Sequence, residues 1–122
     1  MAKRGGVTFE DFSAMALALP GVEARSSYGT PGFSVKKKFL ARLREEDVLV
    51  LTPVYDDEQR FLMETAPQAF FLTDHYRGHP TILIRLSKVD RGQLQELLHQ
   101  AWSRKAPPRL LQQVEAQAGR RS

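Results

Sequence analysis

Apolar residues change their spacing along the chain, and the changes divide it into helices and strands. A spacing of three or four positions, which places side chains on one helix face, predicts helices over 9–19, 57–65 and 91–105. Thr8 is a suitable N-cap for the first helix. Asp56 with Gln59, and Asp90 with Gln93, have the spacing of capping boxes and mark the starts of the other two.

Between these helices, the apolar positions have strand spacing. The pattern predicts strands at 33–37, 39–44, 48–52, 70–72 and 81–86. In the second of them Leu40 interrupts the alternation. A one-residue slip in register moves every side chain to the other face. We therefore expect a three-residue hairpin loop that pairs Phe33 with Leu43, rather than a two-residue turn at 37–38.

The element order predicts the fold class. Strands and helices occur in runs, as α-β3-α-β2-α, which indicates an α+β fold with helices packed on an antiparallel sheet. The segment 23–28 is compatible with a loop or a short edge strand. At 122 residues we expect a single domain over 1–122. Its ordered part should run from about 8 to 111, with flexible tails at 1–6 and 119–122.

Composition excludes several classes of protein. There is no Cys, hence no disulfide framework, thiolate nucleophile or Cys-based zinc site. No apolar run has the length of a membrane span, and the N-terminus lacks the apolar core of a secretory signal. We therefore expect no membrane association and a cytoplasmic location.

Charge is distributed in blocks. Lys3, Arg4, Arg120 and Arg121 account for the net charge of +4, because the other 14 basic side chains balance the 14 acidic ones. Residues 25–44 form a basic block without a carboxylate, which contains Arg25, Lys36, Lys37, Lys38, Arg42 and Arg44. The charged side chains of the next twenty residues are nearly all acidic, with Arg60 as the one exception. Because the basic block is also a predicted hairpin, it is a candidate for contact with phosphate groups. The alternative is a solvated face balanced by its neighbours.

A second polar segment covers 73–79. His75, Tyr76, Arg77 and His79 form a candidate site for a small anion or ligand, because they combine stacking, cationic and proton-exchanging groups. The alternative is a structural loop capped by Asp74. His75 and His79 with Asp74 have a spacing that permits metal binding, but no helix fixes that spacing and no further strong ligand is evident. We therefore predict no metal site.

Catalytic motifs are absent from the sequence. No serine lies in a nucleophile elbow, and there is no GxxxxGK[ST] phosphate loop. We therefore expect a non-enzymatic domain without a cofactor.

Several short motifs occur in a characteristic order. They are Ala18-Leu19-Pro20-Gly21-Val22, Gly29-Thr30-Pro31 before Phe33-Ser34-Val35, Phe39-Leu40-Ala41-Arg42-Leu43, Phe70-Phe71-Leu72-Thr73, His75-Tyr76-Arg77-Gly78, and Ala101-Trp102 before Ala106-Pro107. In this order the chain resembles the YjbR/MmcQ family, described as double-wing DNA-binding domains with a secretion-chaperone-like fold. Many members of that family have glycine where this chain has Lys37.

The resemblance implies a DNA-binding module, and the charge of the hairpin predicts that it contacts the phosphate backbone. We expect no sequence preference, because no predicted helix has Arg, Asn or Gln at a spacing that reads bases. The expected contacts are Lys36, Lys37, Lys38, Arg42, Arg44, Tyr76 and Arg77. Two alternatives stay open. One is a protein-interaction or adaptor domain with a protein partner or a homodimeric state, and the other is a small-anion-binding domain.

Overall fold

A computed structural model describes residues 6–26 and 29–112. It has the predicted α+β architecture, with a six-stranded antiparallel sheet and helices. In chain order the elements are α1 (Phe9–Leu17), β1 (Val22–Ala24), β2 (Gly32–Val35), β3 (Lys38–Glu45), β4 (Val48–Leu51), α2 (Asp56–Thr65), β5 (Phe70–Phe71), a 3₁₀ helix (Asp74–Tyr76), β6 (Ile82–Arg85) and α3 (Arg91–Lys105). Within the described residues, no helix is both long and apolar enough to cross a membrane.

The strands follow the order β1-β2-β3-β4-β6-β5 across the sheet. Four strands, not the predicted three, separate α1 from α2, because Val22–Ala24 pairs with β2 as a short edge strand. The alternative of an edge strand within 23–28 is therefore correct in kind, although the strand begins one residue earlier and ends at Ala24. Of the predicted tails, residues 1–5 and 119–122 lie outside the described residues.

The β2–β3 hairpin differs from the predicted register. Val35 pairs with Lys38, so the connection is a two-residue turn, and the predicted three-residue loop is wrong. Ser34 pairs with Phe39 whereas Phe33 pairs with Ala41, which leaves Leu40 as the extra residue of a β-bulge. The bulge, and not a longer loop, accommodates the interrupted alternation that the sequence shows around Leu40.

One face of the sheet carries the main core. Side chains from the three α-helices meet strand residues there, and the largest fully buried ones include Trp102, Phe12, Phe70, Leu40, Leu49, Leu51, Ile82, Ile84, Leu94 and Leu98. The indole Nε1 of Trp102 donates to the carbonyl of Pro20 at 2.9 Å, which ties α3 to the segment after α1. The polar group of this buried aromatic is therefore satisfied.

The opposite face, which we call the open face, carries a thin second cluster. Val48, Val50 and Leu83 are buried there, beneath the half-buried rings of Phe39 and Phe71 and of Tyr76 from the β5–β6 connection. Among the described residues, the α-helices contribute no side chain to this cluster. The rings of Phe39, Phe71 and Tyr76 thus pack over these buried residues on this face.

The start of α2 corrects the predicted capping box. Tyr55, not Asp56, is the N-cap, and its backbone N–H donates to the Glu58 carboxylate at 2.9 Å. The predicted partner Gln59 is buried and its amide is turned inward. By contrast, α3 begins as predicted, because the Asp90 carboxylate accepts from the Gln93 N–H at 2.9 Å.

Glu58 also connects the start of α2 to the end of α3. Both guanidinium Nη atoms of Arg104 reach its carboxylate, at 2.8 and 2.6 Å. This hydrogen-bonded pair holds the pKa of Glu58 below its ordinary value of 4.5. A carboxyl whose pKa is lower in the folded state contributes stability above its unfolded pKa and loses it as the pH falls through the folded pKa.

We predict that Glu58→Gln lowers the free energy of unfolding at pH 7. It should also flatten the pH dependence of that free energy below about pH 4.5, because only the wild type has a Glu58 carboxylate to protonate there. Urea unfolding at several pH values measures both effects. Glu64→Gln, at an exposed position later in α2, is the matched control and should keep the wild-type profile. A Glu58→Gln profile parallel to that of the wild type would contradict the assignment.

Candidate nucleic-acid interface

The turn between β2 and β3 holds two lysines in an unusual backbone conformation. Lys36 has φ 50° and Lys37 has φ 72°, in the left-handed region that favours glycine. Positive φ at both central residues suits a tight two-residue hairpin. Lysine at these positions costs conformational energy that glycine or asparagine would avoid, so the sequence keeps cationic side chains here against the local backbone preference.

Lys36, Lys37 and Lys38, which we call the basic tip, are all exposed. No carboxylate among the described residues lies within ion-pair distance of them. Lys105, at the end of α3, adds a fourth cation, because its Nζ donates to the carbonyl of Phe39. Burial, reinforced by the nearby charge of Lys38, lowers the pKa of Lys105. The tip is therefore a concentrated positive charge at one end of the sheet.

The bulge at Leu40 decides which β3 side chains reach the open face. Residues 39 and 42 are three positions apart and would point to opposite faces in a regular strand. With Leu40 inserted, Phe39 joins the open-face cluster while Leu40 and Ala41 both belong to the main core. Arg42 pairs with Gly32 across the strands. A Cβ on Gly32 would lie 3.2 Å from the Cβ of Arg42, so the missing side chain leaves room for the arginine.

Arg42 links the hairpin to the β5–β6 connection. Its Nη2 donates to the hydroxyl oxygen of Tyr76 at 3.2 Å, and its Nη1 donates to Thr30 Oγ1 at 3.4 Å. The ring of His75 stands edge-on to that of Tyr76, with 4.8 Å between centroids. The sequence-predicted residue Arg42 thus lies close to His75 and Tyr76, although more than 30 positions separate it from them in the chain.

Buried Gln59 holds the β5–β6 connection in place. Its Nε2 lies 2.7 Å from the carbonyl oxygen of His79 and 2.9 Å from that of Thr81. Thr52 Oγ1 donates to the carbonyl of Pro80 at 2.8 Å. These bonds attach the segment that follows Tyr76 to β4 and α2, so the aromatic side of the site is anchored to the core of the domain.

Together these residues form a concave site on the open face, which we call the sheet-face groove. Its volume is about 700 Å³, and its lining is Phe39, Arg42, Val50, Thr52, His75, Tyr76 and Thr81. The volume lies in the range of small-molecule and cofactor sites. The lining combines aromatic rings, hydroxyls and one guanidinium, which suits a planar group that carries a negative charge.

Three other predicted contacts lie apart from this groove. Arg44 is close to the far end of β3 and pairs with Glu45 at 3.4 Å. Arg77 forms an exposed ion pair with Asp74 at 3.1 Å. His79 lines a separate recess beside α2. The anion site predicted from 75–79 is therefore divided, with His75 and Tyr76 in the groove and the other two outside it.

Charge is partly separated along the sheet. Glu45 ends β3, and Glu46 and Asp47 form the turn after it, at the end of this eight-residue strand opposite the basic tip. At about 3.3 Å per residue the two turns lie roughly 25 Å apart. The acidic start of α2 is balanced locally, since Arg60 and Arg104 pair with its carboxylates. Among residues 6–26 and 29–112, no three His, Asp or Glu side chains cluster in a metal-binding arrangement.

Several contributors escaped the sequence reasoning. Phe39 was predicted only as an apolar strand residue, and Gln59 only as a helix cap. Lys105 was predicted to end α3 without any link to the hairpin. A strand pattern that breaks by one residue is the signal that a bulge leaves in sequence, and it could have placed Phe39 beside Arg42. The position of Lys105 depends on tertiary packing and leaves no local signal.

Comparison with known proteins identifies the family. A family model described as YjbR matches residues 17–104, well over half of the chain. The chain belongs to the YjbR family. The match covers the sheet, the hairpin and nearly all of α3, and confirms the resemblance seen in the sequence motifs.

Curated relatives of this YjbR domain come from mycobacteria. It is 36% identical over 67 residues to "Uncharacterized protein Rv2570" of Mycobacterium tuberculosis and to "Uncharacterized protein Mb2600" of Mycobacterium bovis. The match covers 54% of this chain and 52% of each relative, so the chain spans about half the length of the curated relatives it matches. No solved structure matches the chain significantly.

We predict that Lys37→Gly stabilises the YjbR domain by about 1 kcal/mol, because glycine adopts φ 72° without the steric cost of a Cβ. Lys38→Gly is the matched control. It removes the same charge from an extended strand position and should destabilise by about 0.5–1 kcal/mol. Urea unfolding of both variants tests the contrast, and equal destabilisation by the two would refute the account of the turn.

Proposed function

We propose that this YjbR domain is a non-enzymatic DNA-binding module that contacts the phosphate backbone through the β2–β3 hairpin. The observation that carries the proposal is the basic tip, with three exposed lysines, two of them in left-handed conformation, and no carboxylate partner among the described residues. Lysines in a strained backbone conformation lower the stability of a turn that only contacts solvent. In a turn that binds phosphate, the same lysines supply the cations that neutralise it.

The β5–β6 connection supplies the second wing in this proposal. Tyr76 reaches Arg42 directly, so this connection and the hairpin meet across the open face. The exposed Arg77 lies next to Tyr76 in sequence. Phosphate contacts from lysine and arginine position DNA but do not read its sequence. We therefore propose binding without sequence preference, which depends on salt through counterion release.

A protein-interaction role is the second candidate, and one observation favours it. A groove of about 350 Å³ lies between α2 and α3, with Phe61 and Leu97 in its lining and Asp57 and Glu96 beside them. Phe61 is 60% exposed, which is unusual for a large aromatic side chain. A partner segment with an apolar anchor and basic flanks would complement this face. The groove is formed by the helices, whereas the basic tip and the open face belong to the sheet.

We expect Lys36→Glu/Lys37→Glu to weaken binding to a 15-base-pair duplex by at least about tenfold at low salt. The slope of log affinity against log salt should fall by about 2, since each lost phosphate contact removes about 0.9. Fluorescence anisotropy with the full chain, titrated at several salt concentrations, gives both values. The turn itself should persist because glutamate, like lysine, occupies it with a Cβ.

The matched control is Lys88→Glu/Arg91→Glu. Lys88 lies at the other end of the sheet, close to the segment that bonds the acidic turn after β3, and Arg91 is the first residue of α3, where it forms an exposed ion pair with Asp11 at 3.5 Å. Both double variants lower the formal charge from +4 to zero, by two reversals of two units each. Equal losses in the two variants would indicate a general charge effect and would overturn the hairpin model.

A further inference from the structure

We propose that the sheet-face groove binds an unstacked base of single-stranded DNA, so that the domain prefers single strands to duplex. This inference rests on the proposed function and specifies the form of DNA that the same surface takes. It concerns the half-buried aromatic floor of the groove, which phosphate contact at the basic tip does not require.

The groove has the shape and the aromatic lining that a single base requires. Phe39 and Tyr76 are half-buried rings within a concavity of about 700 Å³, large enough for a nucleotide. Bases in a duplex are stacked on one another, so their faces cannot reach rings set into a recess. A base of a single strand can turn out of its stack and lie against an aromatic side chain.

Positive charge lies before and after these rings along β3. The basic tip ends one residue before Phe39, and Arg42 follows Phe39 by three residues and lies on the same face as its ring. Lys38 and Arg42 are about 13 Å apart along the strand. Cations therefore precede and follow the aromatic floor along β3, and of these Arg42 lines the groove itself. A single strand that runs along β3 would bring a phosphate near each of them. Charge complementarity thus selects an anionic polymer over a neutral or basic partner.

The cation in the groove is held in place by its neighbours. The Arg42 guanidinium is held by Tyr76 and Thr30, and Tyr76 is positioned by a connection that Gln59 attaches to the core. A preorganised guanidinium next to aromatic rings loses little entropy when it binds phosphate. Thr52 and Thr81 add hydroxyls to the groove lining, within a site whose shape is set before the ligand arrives.

The test compares a 15-nucleotide thymidine strand with a 15-base-pair duplex by fluorescence anisotropy, using the full chain. We expect tighter binding to the single strand. Phe39→Leu, which keeps apolar volume and removes the stacking face, should weaken single-strand binding roughly 5- to 100-fold and leave duplex binding within about twofold. Tyr76→Leu is the second variant and should also weaken single-strand binding. It serves as the test if Phe39→Leu fails to fold.

Phe71→Leu is the matched control. Phe71 belongs to the same open-face cluster, but it is outside the groove lining and lies beneath the Arg85 guanidinium at 4.0 Å, so neither DNA form should be affected. Unchanged single-strand binding in folded Phe39→Leu and Tyr76→Leu, with both forms weakened by Lys36→Glu/Lys37→Glu, would overturn this inference and leave the proposed function standing. No binding of either form by the wild type at low salt would overturn both.

Discussion

An extra residue in one strand determines what the open face of this domain presents. Leu40 is inserted into β3 opposite the Phe33–Ser34 step, so it and Ala41 both enter the main core. In consequence, Phe39 and Arg42 reach the same outer face although three positions separate them. A regular strand would place one of them against the helices, where an arginine would be buried at high cost. The groove, its aromatic floor and its cation all depend on this bulge.

The rest of the site is built on that arrangement by a few polar contacts. Arg42 meets Tyr76, and the connection that carries Tyr76 is fixed by the amide of Gln59 and the hydroxyl of Thr52. On the other face of the sheet, helices cover the strands, whereas on the open face these hydrogen bonds hold the β5–β6 connection in place. The side chains of the open face are therefore held in place but not fully buried, and its aromatic and basic groups stay accessible to a ligand.

Sequence reasoning predicted the α+β class and most element positions, because they follow from periodicity and capping. It failed where two local solutions had similar costs. A longer loop and a bulge both reconcile the pattern around Leu40, and the structure has the bulge, which brings Leu40 and Ala41 together into the main core. At the start of α2, the sequence offered Asp56 and Gln59 as a cap, but Gln59 satisfies buried carbonyls instead. The positions of the lysines in the sequence placed them on the hairpin. The approach of Lys105 and Tyr76 to the hairpin depends on tertiary packing.

The binding surface can be mapped residue by residue, which is the most direct test that the basic tip and the sheet-face groove bind DNA. Amide chemical shifts of the ¹⁵N-labelled full chain are recorded during titration with the thymidine strand. The account predicts that the largest changes occur at residues 36–42 and 75–81, which form the basic tip and the groove. Changes concentrated at 57–62 and 93–100, along the groove between α2 and α3, would contradict it and would assign binding to the helical side of the domain.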